Sequence, residues 1–269
     1  MSTFDTIIRG GTIIDGLRSG RFVGDIGIRD GKIAAIGGID GDADQVLDAS
    51  GLIVAPGFID LHTHYDSQLF WDPWCSISSW HGVTSVAIGN CGFGFAPCKP
   101  EHRERAMLSM TRNEAVPLKT MQAGLPWDWE TFPEFMESLE RTPKGVNVLT
   151  YVPLIPLFMY VMGPEAAKCR RPTSAELAEM CRLLEHGMEA GGCGFSLQYL
   201  GVNSHQRDYD GTPMITDTMS QDDLMHFARV LKKLGRGVIQ GIGAPGAVWE
   251  QLAEVSGRPV IYNTVSPMA

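Results

Sequence analysis

The chain has 269 residues, of which 44% are hydrophobic and 20% charged, a composition that excludes a disordered chain and allows one large domain or two smaller ones with a sizeable core. Its 22 Lys and Arg against 31 Asp and Glu give a formal charge of −9, which leaves no basic stripe for displacing counterions from nucleic acid. There is no run of ~18 apolar residues, no basic-then-apolar leader and no paired CxxC set, so the expectation is a cytoplasmic protein with reduced thiols and no membrane partner.

Residues 1–51 read as short strands with turn signals. Residues 4–15 (FDTIIRGGTIID) are apolar and β-branched, broken by Gly10-Gly11. Residues 25–37 form a hairpin pattern with Asp30-Gly31 as its tight turn, and residues 45–57 add another strand pair. This suits a small β-domain at the edge of something larger.

From residue 52 to 269 the rhythm becomes strand, loop, helix, strand. Six buried-strand candidates stand out, at 52–62, 83–90, 145–152, 192–200, 237–241 and 259–265. Helix starts are marked by Thr131 with Glu134 and by Thr173 with Glu176, both at capping-box spacing. Leu177, Met180, Cys181 and Leu184 share one helical face, as do Leu224, Phe227, Ala228 and Leu231 ahead of Gly235. The stretch around 97–130 shows no regular pattern. Alternating strands and helices imply a parallel sheet, either a closed (β/α) barrel or an open doubly wound sheet. A closed eight-stranded barrel takes about 250 residues, and the last strand candidate runs almost to residue 269, so an incomplete barrel of about six strands is expected.

The strongest chemical signal is PGFIDLHTHYD at 56–66. Side chains at i and i+2 on a strand point the same way, which sets His62 and His64 side by side at a strand's carboxyl end. Two neutral imidazoles so placed can bind a divalent ion, typically zinc, whose bound water ionises near neutral pH and can attack an amide. The bland alternative is a histidine pair hydrogen-bonded in a core. Cys91 ends the next strand among Gly89, Gly92 and Gly94, and its thiolate is a soft ligand for zinc, although most free cysteines are simply buried.

PGFIDLHTHYD resembles the opening barrel strand of the amidohydrolase superfamily, and GVTSVAIGNCGFGFAPC at 82–98 resembles the second strand of its N-acyl-D-amino-acid deacylase (D-aminoacylase) group. The likeness continues through GCGFSLQYL, GRGVIQ and GRPVIY. It implies a metal-holding (β/α)8 TIM-type barrel with a small β-sandwich domain, one or two Zn2+ ions, and hydrolysis of N-acyl-D-amino acids. In that group the cysteine of GNCG, here Cys91, is a metal ligand. The resemblance also implies histidines where this chain has Gln240 and Asn263, and a catalytic aspartate after the last strand, beyond residue 269.

Residues 199–213 (YLGVNSHQRDYDGTP) follow the fourth strand on the metal's face. Tyr199, His205 and Arg207 are therefore candidates for substrate contact, Arg207 through a bidentate fork to a carboxylate, with a solvated polar loop as the alternative. Gly241-Ile242-Gly243-Ala244-Pro245-Gly246 fits a dinucleotide fingerprint, but 259–265 lacks the acidic residue expected at the next strand's end. The expected function is a zinc-dependent hydrolase acting on C–N bonds of a small-molecule substrate. The alternatives are a catalytically incompetent fragment or subunit, needing a homo-oligomer or a complementing chain for the missing strands, and a cyclic amidase or deaminase of the same superfamily.

Overall fold

The computed structural model describes residues 3–263, and the chain divides into two compact units, Met1–Phe58 and Ile59–Ala269. In the first, β1 (Phe4–Ile13), β2 (Phe22–Arg29), β3 (Lys32–Gly37) and β4 (Ala43–Asp48) lie in the order β3-β2-β1-β4, and β5 (Ile53–Val54) also pairs with β1. The Gly10-Gly11 pair does not break the first strand as its sequence suggests. It forms an irregularity between Ile8 and Gly11, across which β1 keeps its pairing with β2. Asp30 and Gly31 both take positive φ and join Arg29 to its partner Lys32, the geometry of a tight hairpin. The five strands make one sheet; the second layer of a sandwich is not found among the described residues.

Residues 52–62 are two strands rather than one. Ile53–Val54 joins the first unit's sheet, whereas β6 (Phe58–Asp60) starts the next, and Phe58 and Ile59 are exposed instead of buried. Pro56 and Gly57 separate them.

The second unit continues with α1 (Ser76–Trp80), β7 (Val83–Ile88), α2 (Arg103–Glu114), α3 (Leu118–Gly124), α4 (Phe132–Arg141), β8 (Asn147–Thr150), β9 (Val152–Pro153), α5 (Leu154–Met162) and α6 (Pro164–Cys169). Then follow α7 (Ser174–Glu189), β10 (Gly194–Tyr199), α8 (Gln221–Leu234), β11 (Val238–Gly243), α9 (Gly246–Ser256) and β12 (Val260–Tyr262). Strands β6, β7 and β8 form one sheet and β9 to β12 another, with strands adjacent in sequence adjacent in space. Backbone bonds from Tyr151 to Ile88 and from Cys193 to Thr150 link the two through residues 147–153. The pairs from β7 to β8 and from β9 to β12 are parallel. This is an α/β architecture whose sheets are consistent with part of a (β/α) barrel.

Both capping boxes form, with the Thr131 and Thr173 hydroxyls accepting from the backbone N–H of Glu134 and Glu176. The α8 stripe is buried along its length, and the α7 stripe likewise except for half-buried Cys181. Within 97–130, where the sequence suggested irregular chain, α2 and α3 form. In α2 only Ala106, Met107 and Met110 are buried, too few to announce a period among its charged neighbours. Helix α5 is apolar on every side because the core surrounds it.

Candidate metal centre

The site grows from the carboxyl ends of β6 and β7. Just past β6, Thr63 donates its backbone N–H and its hydroxyl to the Ala87 carbonyl, which fixes the register of the His-x-His segment beside β7. His62 and His64 then face each other with Nε2 to Nε2 at 3.3 Å, and the Cys91 sulfur lies 3.3 Å from His62 Nε2. The three ligand atoms all lie within 4.8 Å of one another. Nitrogens about 2.0–2.1 Å from a shared zinc ion at the tetrahedral angle would be about 3.3–3.4 Å apart, so the spacing fits a metal.

Cys91 is brought there by a one-turn helix, Asn90–Gly92, with Gly89, Cys91 and Gly92 all at positive φ. A Cβ on Gly89 would sit 2.5 Å from the Tyr151 carbonyl, so only glycine fits there. Each backbone N–H of the turn that matters has a buried acceptor: Asp66 for Gly89 at 2.8 Å, Gln240 for Cys91 at 2.7 Å and Ser196 for Gly92 at 3.0 Å. The Asn90 amide closes the turn by donating to the Thr63 and Ala87 carbonyls.

Burial holds the His64 ring at about 4, below its usual 6.5, with the neighbouring His62 adding to the effect; burial lowers His62 too. Both imidazoles are thus neutral near pH 7 and keep the lone pairs that a metal needs. Burial, then the Glu114 carboxylate, pushes the Cys91 thiol up to about 12, a penalty on the thiolate that a divalent cation would offset. Among the described residues the His64 Nδ1 atom and one Asp66 oxygen are buried without partners. Burial raises Asp66 to about 7. The donor set fits a zinc-like ion.

Sequence reasoning missed Glu114. It ends α2 and places Oε2 3.5 Å from His64 Nε2, with its carboxyl raised by burial. Recognising RERAMLSMTRNE as a run of strong helix formers would have put this carboxylate on a helix end, but nothing in it points to His64.

The remaining sequence candidates are not among the three clustered ligand residues. The Tyr199 hydroxyl, at the end of β10, donates to the Met219 carbonyl at 2.9 Å. His205 is exposed, and among the described residues the Arg207 guanidinium has no hydrogen bond or ion pair. Their loop is anchored by Asp208, which is buried and takes contacts from Arg105, Ser109 and Lys168. Gln240 is buried in β11 and Asn263 follows β12. The glycine-rich 241–246 segment does join a strand to a helix, but packing accounts for Gly241: a Cβ there would meet the Trp249 ring at 2.1 Å. Trp249 Nε1 also donates to the Gly243 carbonyl at 2.6 Å.

Residues 45–259 match the model of the Amidohydrolase family. The chain is 37% identical over 194 residues to the D-aminoacylase of Alcaligenes xylosoxydans xylosoxydans, covering 72% of this chain and 37% of that enzyme. Among solved structures, an N-acyl-D-glutamate deacylase from Bordetella bronchiseptica complexed with zinc and a phosphonate inhibitor superposes with a TM-score of 0.76 at 28% identity, covering 96% of this chain and 50% of that one. A D-aminoacylase structure described as having a binuclear metal centre gives 0.74 at 27% identity, again over 96% of this chain and 50% of the other. The chain therefore spans a third to a half of the length of these relatives. The family match covers most of the sequence and includes both the His-x-His segment and the cysteine turn, and this chain belongs to the amidohydrolase family.

Proposed function

We propose that this chain carries the metal-binding side of a hydrolase that cleaves the C–N amide bond of N-acyl-D-amino acids. The observation that carries the reading is the convergence of His62, His64 and Cys91, whose ligand atoms lie within 4.8 Å of one another. The activities named for the relatives supply the substrate class. His62, His64 and Cys91 would hold zinc. The bound ion supplies polarisation of the scissile carbonyl and acidification of the attacking water. Burial keeps both imidazoles in the neutral, ligating form. Arg207, unpaired among the described residues, is the cation for the substrate carboxylate, with His205 beside it and Tyr199 at the root of the loop. Six cysteines without disulfides suit a reducing cytoplasm.

The test is a panel of N-acyl-D-amino acids, their L-enantiomers and cyclic imides, assayed with zinc present. Selective release of amino acid from the D-series is expected; turnover of imides with the D-series inert would refute the substrate assignment in favour of a cyclic amidase.

One observation favours a second reading. Strands β6 and β12 each have a strand neighbour on one side only among the described residues. Turnover would then require strands beyond those described, from the rest of the same protein, a second copy or a complementing chain, and an aspartate beyond residue 269 to pass a proton to the leaving amine. Activity that rises with protein concentration faster than linearly supports the second copy; activity strictly proportional to concentration removes it.

A further inference from the structure

Gln240 and Asn263 stand where the resemblance implies metal-binding histidines, and both amides are engaged with Cys91 instead. Gln240 is fully buried, its Oε1 accepts the Cys91 backbone N–H at 2.7 Å, and its Nε2 has no partner among the described residues. Asn263 Nδ2 donates to the Cys91 sulfur at 3.7 Å. An amide nitrogen is a donor only and cannot ligate a cation. The one cluster of convergent metal-ligating atoms among the described residues is His62, His64 and Cys91, and no second set of three lies beside it.

The engagement has a mechanical consequence. Cys91 holds a φ of +57°, a conformation that a non-glycine residue keeps only when its surroundings over-determine it. The Gln240 bond is the one that acts on Cys91 itself, while Asp66 and Ser196 hold Gly89 and Gly92 on either side. Releasing it would leave a buried N–H without an acceptor and free the turn that aims the sulfur at His62.

We propose that the centre holds a single divalent ion on His62, His64 and Cys91, and that Gln240 and Asn263 are positioning residues acting on Cys91, the first through its backbone and the second through its sulfur. This rests on the metal-centre reading above. Among the described residues a second ion has no set of three ligands, and the soft sulfur selects zinc or cobalt over magnesium.

The experiment strips the full chain with a chelator, titrates Co2+, counts ions per chain by mass spectrometry and records the thiolate-to-cobalt charge-transfer band. One ion per chain is expected, with a band that disappears in Cys91→Ser. Gln240→Leu should weaken Co2+ binding about 10–100-fold and move the band, the range for groups that orient metal ligands. Gln240→Glu, which keeps an acceptor for the Cys91 N–H, should restore both. Far-ultraviolet circular dichroism confirms that each variant is folded. Two ions bound by the wild-type chain would overturn the single-ion inference and leave the metal reading standing. No ion bound would overturn the metal reading itself. Unchanged Co2+ affinity and an unmoved band in folded Gln240→Leu would overturn the positioning role.

Discussion

Replacing Asp208 by alanine would unfasten the loop that carries His205 and Arg207. The carboxylate has ion pairs with Arg105 and Lys168 and accepts from the Ser109 hydroxyl, and the side chains of Arg105, Asp208 and Lys168 are only 10%, 4% and 14% exposed. So little water screens these charges that the surface-pair value of under about 1 kcal/mol does not apply. Removing one member of a buried pair leaves an uncompensated charge, at a cost of about 3–5 kcal/mol. Lys168 keeps Asp210 at 2.8 Å, but Arg105 is left with the Tyr209 ring, 5.1 Å away, and a buried Nε already without a partner. At about 2–4 °C per kcal/mol for a domain of this size, Tm should fall by roughly 6–20 °C. Thermal and urea unfolding followed by circular dichroism measure it. The double variant Arg105→Met, Asp208→Leu should lose much less, since no lone charge remains. A loss below about 1 kcal/mol for Asp208→Ala, or a double variant no better than the single, would refute the argument that this cluster is dry and mutually compensating.

Gly194→Ala should be severely destabilising, because its Cβ would lie 1.8 Å from the Val238 carbonyl oxygen, within the β10–β11 pair where backbone cannot move aside; a Tm near wild type would contradict this. Glu176 is held down to about 2 from its ordinary 4.5, chiefly by Arg170 and then by the Thr173 cap. A depressed folded value means its stabilisation is present above pH 4.5 and lost as pH falls through about 2. The Tm difference between wild type and Glu176→Gln should therefore close over that window, and a difference independent of pH would refute the assignment. His62→Ala, His64→Ala should abolish zinc retention after dialysis, read as metal per chain; retention equal to wild type would place the metal elsewhere.

Several of these features can be read directly from residue order. The His-x-His pair needs only the two-residue period of a strand, the capping boxes only a three-residue spacing, and the Asp30-Gly31 hairpin only two residues that tolerate positive φ. The apolar stripes of α7 and α8 follow from helical period. By contrast, α2 escaped notice because three buried residues among charged ones carry little period, and α5 because a helix buried all round has none. Residues 52–62 read as one strand since both halves are apolar, and only the pairing of Ile53–Val54 with β1 separates them.

The sequence by itself determined the local chemistry of this protein: which residues are paired imidazoles, where the chain turns and which helix faces are apolar. Those properties depend on neighbours a few positions apart. Tertiary structure alone decided that Glu114 reaches His64, that Asp208 gathers Arg105, Ser109 and Lys168, and that Gln240 holds the backbone of Cys91 from 149 positions away. Contacts over such separations leave no period in a sequence, because the fold and not the spacing brings their atoms together.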